Sequence, residues 1–150
     1  FDLPRPMMHS GDFDFSFSGL KTAVLHQVKK AQTNGSDDEA FRANLANAFV
    51  QSVIEVLGHK AIKALEELNC RDLVVAGGVG ANIQLREKLT QMAKDRGCNV
   101  HYPPIELCTD NGVMIAFAGA LRLLQINPVT KNLGAFDIQP RWDLSSLNVN

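Results

Sequence analysis

The stretch Leu73-Val74-Val75-Ala76-Gly77-Gly78-Val79-Gly80-Ala81-Asn82 carries the strongest chemical signal in the sequence. An apolar run passes into a glycine turn and then into an amphipathic segment, the pattern of strand, turn and helix. In an open α/β sheet, ligands sit beyond the carboxyl ends of the strands. Gly77 and Gly78 would let the backbone approach such a ligand, and a helix start offers unpaired N–H groups. Asn82, at that helix start, can both donate and accept. A tight turn with glycines for geometry alone accounts for these residues equally well. The dinucleotide fingerprint fails, because Ile83 stands where its third glycine would be, and no Lys-Ser or Lys-Thr follows to make a Walker pattern.

Cys108-Thr109-Asp110-Asn111-Gly112 is the second signal, again a loop feeding a helix. A carboxylate there can simply favour the helix dipole. Asp110 is also a hard oxygen donor suited to a metal, though one residue makes no site. The third signal is Asp14-Phe15-Ser16-Phe17-Ser18-Gly19-Leu20-Lys21-Thr22. No G-x-S-x-G elbow accompanies Ser16, which argues against nucleophilic serine chemistry. His9, His26, His59 and His101 show neither H-x-x-x-H nor H-E-x-x-H spacing, so each reads as a surface or packing residue.

These residues need elements to position them. Asp12 to Phe17 alternates strictly, predicting a half-buried strand with Phe13, Phe15 and Phe17 on one face. A helix is expected from about Leu20 to Gln32, broken at Thr33-Asn34-Gly35. Ser36 and Glu39 form a capping box opening one long helix to about Leu68, with a bend at Gly58 allowed. Leu73 to Ala76, apolar on both faces, reads as a central strand of a parallel sheet. A helix from about Ala81 to Arg96 follows, carrying a local net charge of +2 that reads as a solvated basic face. A brief strand from Cys98 to Tyr102 stops at Pro103-Pro104. A last helix is expected from Asp110 to Gln125 with Thr109 as its cap, and residues 128–150 read as an irregular tail. The order contains βαβ units and predicts an α/β fold with a sheet flanked by helices.

The whole chain of 150 residues is about one domain long, with 45% hydrophobic and 21% charged residues. Its net charge of −1 excludes a globally basic nucleic-acid binder, though not a local patch. Three cysteines without a C-x-x-C pattern signal neither a disulfide scaffold nor a zinc site, and plain thiols suit the cytoplasm. No run approaches the roughly 18 apolar residues of a membrane span. Phe1 opens the chain without an initiator Met or a signal-peptide pattern, which reads either as a trimmed tag or processed terminus or as the carboxyl part of a longer protein.

Asp14 to Thr22, Ala76 to Asn82 and Cys108-Thr109-Asp110-Asn111-Gly112-Val113-Met114-Ile115-Ala116 resemble, in order, three signatures of the TsaD family. This is the tRNA threonylcarbamoyladenosine synthase family, formerly named O-sialoglycoprotein endopeptidase. Pro140-Arg141-Trp142 resembles the tail of its bacterial members. The resemblance covers only the carboxyl half of the family. It implies part of a two-domain actin-like, Hsp70-like ATPase fold of the ribonuclease H-like kind. It implies transfer of a threonylcarbamoyl group from its adenylate to the exocyclic nitrogen of the adenosine beside the anticodon. Asn82 matches the residue that binds ATP or the adenylate, Gly77 and Gly78 the turn against that ligand, and Asp110 a ligand of one iron or zinc ion. The histidines that complete the metal lie in an H-x-x-x-H motif absent from this chain, so the fragment alone is expected to be inactive. Gly80 stands where many relatives carry Ala or Ser. Implied partners are tRNA and the bacterial proteins TsaB and TsaE. Two rival classes are a non-catalytic nucleotide-binding module of the actin-like superfamily, which would have no use for Asp110, and the metalloprotease of the older name, which lacks its histidine pair here.

Overall fold

A computed structural model describes residues 1–125. The expected tail, with Pro140, Arg141 and Trp142, lies outside the described residues. The chain divides into two compact units, Phe1–Asn111 and Gly112–Asn150. The first holds α1 (Ser18–Asn34), α2 (Glu39–Glu67), β1 (Asp72–Val74), α3 (Ile83–Lys94) and β2 (Asn99–His101), with short 3-10 turns at Gly78–Ala81 and Ile105–Leu107. The second contributes α4 (Gly112–Gln125).

The βαβ unit is present. β1 and β2 pair in parallel, Asp72 opposite Asn99, Leu73 opposite Val100 and Val74 opposite His101, with α3 as the crossover. The expectation of a strand buried on both faces is corrected. Leu73 and Val75 pack against the core formed by Ile62, Leu65, Leu89 and Ala93, but Val74 on the opposite face is 72% exposed. Helices α2 and α3 cover one side of the two-stranded sheet. The apolar run thus includes a face that no described residue covers.

The long helix is α2. Its cap is Asp38 rather than Ser36: the Asp38 carboxylate accepts from the Phe41 N–H at 2.7 Å while its own backbone is extended. A carboxylate at this position satisfies an orphan donor as well as a serine would. The first turn then begins at Glu39, and Phe41 meets Phe1 edge to face. Gly58 does not interrupt the helix. It is buried, and a Cβ there would stand 3.0 Å from the Met92 Sδ, so its lack of a side chain lets α2 and α3 approach closely. Towards its amino end α2 packs on α1 through a second core of Leu3, Leu20 and Leu45.

The strand expected at Asp12–Phe17 does not form. Residues 6–13 run as turns and bends, Phe13 and Phe15 are exposed, and only Phe17 joins the core. Asp12 accounts for this: its carboxylate accepts from the Asp14 N–H and the Ser10 hydroxyl. Such local side-chain bonds compete with a ladder, and among the described residues no neighbouring strand offers one. Two lysines of α2 hold the resulting loop. Lys60, 2% exposed, donates to the Ser10 hydroxyl at 2.9 Å, the Asp12 carboxylate at 3.0 Å and the Asp14 carbonyl. Lys63 donates to the Gly11 carbonyl. The Phe15 and Phe13 rings lie over these two ammonium groups at 5.7 and 5.6 Å, an attractive geometry for a cation on an aromatic face.

Candidate functional site

The glycine turn leaves the carboxyl end of β1, as its pattern predicts. Gly77 adopts φ +89° and ψ 171°, a conformation essentially restricted to glycine. Gly78 to Ala81 then wind into a 3-10 turn, closed by Gly80 N–H to the Gly77 carbonyl at 2.9 Å. Gly80 is buried, and a Cβ there would meet the Val75 side chain at an ordinary 3.4 Å. An alanine would therefore fit this backbone, and the glycine requirement rests on Gly77.

Asn82 is the N-cap of α3, its Oδ1 accepting from the Leu85 N–H at 2.9 Å. The helix therefore starts at Ile83 rather than Ala81. With Oδ1 committed to the cap, the Nδ2 hydrogens are the part of Asn82 available to a ligand. Asn82 borders an apolar cavity of about 590 Å³ whose lining also includes Phe17, Lys21, Val53, Leu57 and Gly78. Lys21 belongs to the first signal in the chain, Gly78 and Asn82 to the glycine turn. Segments about 60 residues apart in sequence thus share one cavity. Ser16 and Ser18 flank the lining residue Phe17 in sequence, their hydroxyls 3.1 Å apart.

The Cys108–Asp110 loop joins this arrangement through Arg86, one helical turn after Asn82. The Arg86 Nε donates to the Gly80 carbonyl at 2.6 Å. Its Nη2 donates to the Pro103 carbonyl at 2.8 Å and the Cys108 Sγ at 3.1 Å. The guanidinium lies 4.7 Å from the Tyr102 ring centroid, and the Tyr102 hydroxyl donates back to the Arg86 carbonyl. Of the basic residues expected on a solvated face, Lys88, Lys94 and Arg96 are exposed, Arg96 pairing with Glu66 at 2.6 Å, and Arg86 alone departs from that reading as a half-buried tie.

Asp110 is exposed and precedes α4 by two residues, so it is not in that helix's first turn, and Thr109 is not its cap. The Asn111 side chain donates to the Thr109 carbonyl at 2.8 Å and the Leu107 carbonyl at 3.3 Å, a local fold-back that holds these residues as loop. Among the described residues no three His, Cys, Asp or Glu side chains gather to hold a metal. Asp110 fits a metal as one hard oxygen donor only. Of the residues singled out, Gly77, Gly78 and Asn82 lie together, and Asp110 sits two residues beyond the Cys108 that Arg86 ties to them. Sequence reasoning missed the roles of Lys21, Lys60 and Arg86. The usable signal for Arg86 was its i, i+4 spacing from Asn82, and for Lys60 its place on a stripe with Val56 and Ala64.

A family model described as TsaD, tRNA N6-adenosine threonylcarbamoyltransferase, matches residues 1–117. Curated proteins of that name are similar to the chain. One from Polynucleobacter asymbioticus is 61% identical over 99% of this chain. Another from Ralstonia pickettii is 54% identical over 99%, and one from Burkholderia thailandensis 55% identical over 97%. The chain spans 43% of the length of each of these relatives. With a family model matching more than half of its residues and relatives this similar along nearly its whole length, the chain belongs to the TsaD family, the tRNA N6-adenosine threonylcarbamoyltransferases.

Proposed function

We propose that this chain supplies the nucleotide-facing turn and one metal ligand of an enzyme that transfers a threonylcarbamoyl group from its adenylate to the exocyclic nitrogen of the adenosine beside a tRNA anticodon. One observation carries the reading: the first two family signatures line a common cavity, and Arg86 fastens the third to them. The α/β unit would be the carboxyl part of a two-domain actin-like ATPase fold, which suits a chain spanning 43% of its relatives. Partners would be tRNA, TsaB and TsaE, and the free thiols of Cys70, Cys98 and Cys108 suit a reducing cytoplasm.

The chain's own residues support this chemistry. The cavity is mostly apolar, suited to one face of an adenine ring and to excluding water. The Asn82 Nδ2 can donate to the nucleotide, and the Lys21 ammonium at the rim can meet an adenylate phosphate as it leaves. Asp110 would join histidines from outside the chain around one iron or zinc ion, which when bound polarises the carbonyl under attack. An aromatic amine is a weak nucleophile, so holding both ends of the adenylate at fixed separation must supply much of the rate.

Asp110 tests the reading. In the full-length protein, Asp110→Ala should lose stoichiometric metal, by elemental analysis, and most transfer activity, while its melting temperature stays near wild type. A metal held by one ligand fewer binds much more weakly. Full metal occupancy with full activity would remove Asp110 from the site and leave the transfer reading without its metal anchor here.

A further inference from the structure

We propose that Arg86 is a positioning residue that fixes the distance between the two ends of the bound adenylate. This deepens the function proposed above and rests on it. Four observations converge on the side chain. It is the residue whose side chain bonds both candidate ligand loops, through the Gly80 carbonyl on one and the Cys108 Sγ on the other. Its own N–H donates to the Asn82 carbonyl at 3.1 Å, so its backbone is continuous with the nucleotide end. Its Nη2 also holds the Pro103 carbonyl, where the chain leaves β2. Its plane rests on Tyr102, whose hydroxyl returns a bond to the Arg86 carbonyl and lies 3.2 Å from the Thr90 hydroxyl.

The chemistry of the side chain suits this task. A guanidinium presents donors in a rigid planar fork, so three acceptors on different loops are fixed relative to one another. An ammonium on a flexible stem carries the same charge but cannot hold that geometry. Cys108 is 4% exposed and stands two residues before Asp110. Each ligand loop can keep its local shape without Arg86. The Gly77–Gly80 bond and the Asn82 cap close the first, and the Cys108 N–H to Ile105 carbonyl bond closes the second. What Arg86 adds is the spacing between them.

This predicts a particular split. In the full-length protein, Arg86→Lys should retain stoichiometric metal and bind ATP within about threefold of wild type, because each end remains intact. Its kcat for threonylcarbamoyl transfer should fall about 10²-fold, the order expected when bound groups are misplaced by an ångström. Cys108→Ala, which releases one of the two loops, should lower kcat in the same direction by less. If Arg86→Lys fails to fold, Cys108→Ala carries the test alone. Unchanged kcat in the folded variants, with only a lowered melting temperature, would make Arg86 a structural tie and overturn the proposal. Loss of ATP binding or of metal at wild-type kcat per loaded site would overturn it equally. Asn82→Asp and Asp110→Ala run alongside. If those keep both nucleotide and metal, the proposed function has failed, whatever Arg86 does.

Discussion

Asn82 shows at the scale of one residue why a cap and a ligand contact are hard to tell apart. Its Oδ1 holds the Leu85 N–H, which leaves its Nδ2 for a ligand, and the residue lines the cavity. Two substitutions separate these tasks. Asn82→Ala removes both, and should cost about 1 kcal/mol of stability for the lost cap as well as nucleotide affinity. Asn82→Asp keeps an acceptor at the cap, and aspartate is as good a cap as asparagine, so its melting temperature should match wild type. It lacks the donor and places a negative charge beside the expected phosphate. Calorimetric titration of the full-length protein with ATP should show affinity reduced at least about tenfold in both variants, the loss of one hydrogen bond to a charged or buried partner. Unchanged affinity in Asn82→Asp would leave Asn82 as a cap alone. The sequence announced Asn82 because residue type and position agreed on a helix start. It could not announce Lys21, which reaches the same cavity only because α1 and the glycine turn meet across α2.

At the scale of elements, the loop of residues 10–14 shows how a pattern can be legible and still mislead. Alternating Asp and Phe is a strand pattern, but alternation specifies a strand only where a partner ladder exists. Here the acceptors go to Lys60 instead. A buried lysine on the inner face of an amphipathic helix has no partner nearby in sequence, because its partners lie almost fifty residues upstream. The helices were legible as elements, since their periodicity is local, but their ends shifted: α3 stops at Lys94 rather than Arg96, with Gly97 at φ +68° three residues on. The Lys60 clamp makes its own prediction. Lys60→Met preserves length but drops three acceptors, and should cost about 1–3 kcal/mol with the loop freed and α2 intact. The Asp12 carboxyl is held down to about 2, first by the Ser10 hydroxyl and then by Lys60. A depressed folded pKa stabilises above the unfolded value of 3.8, and that contribution is lost as pH falls towards 2. An NMR titration of the Asp12 side chain should therefore show it rising in Lys60→Met, but only part of the way, because Ser10 remains. No rise at all would show that Lys60 does not face Asp12 in solution.

For the whole molecule, the α/β class was legible because strand, turn and helix signals recur in βαβ order, while the extent of the sheet was not. Among the described residues the sheet has two strands; Leu73 and Val100 face the core, while the other face carries exposed Val74 beside Asp72, Asn99 and His101, whose side chains bond one another. The metal ligands bear on the predicted activity of the chain by itself. Asp110 is a single donor, and among the described residues no cluster of three ligands gathers anywhere. On the proposed function, the cavity beside Asn82 would receive one end of an adenylate, and the other end would need metal ligands from outside this chain. The chain by itself should therefore produce no threonylcarbamoyladenosine when incubated with tRNA, threonylcarbamoyl-adenylate and iron or zinc, whereas a full-length relative under the same conditions should. Nucleoside mass spectrometry reads the product directly, and a parallel titration with ATP distinguishes an unfolded chain from an incomplete one. Weak, saturable ATP binding without transfer is the expected pairing. It would mean that the glycine turn and Asn82 are formed before the rest of the site arrives. Modification well above background by the chain alone would mean that its own residues complete the chemistry, and the assignment of the metal to outside histidines would fall.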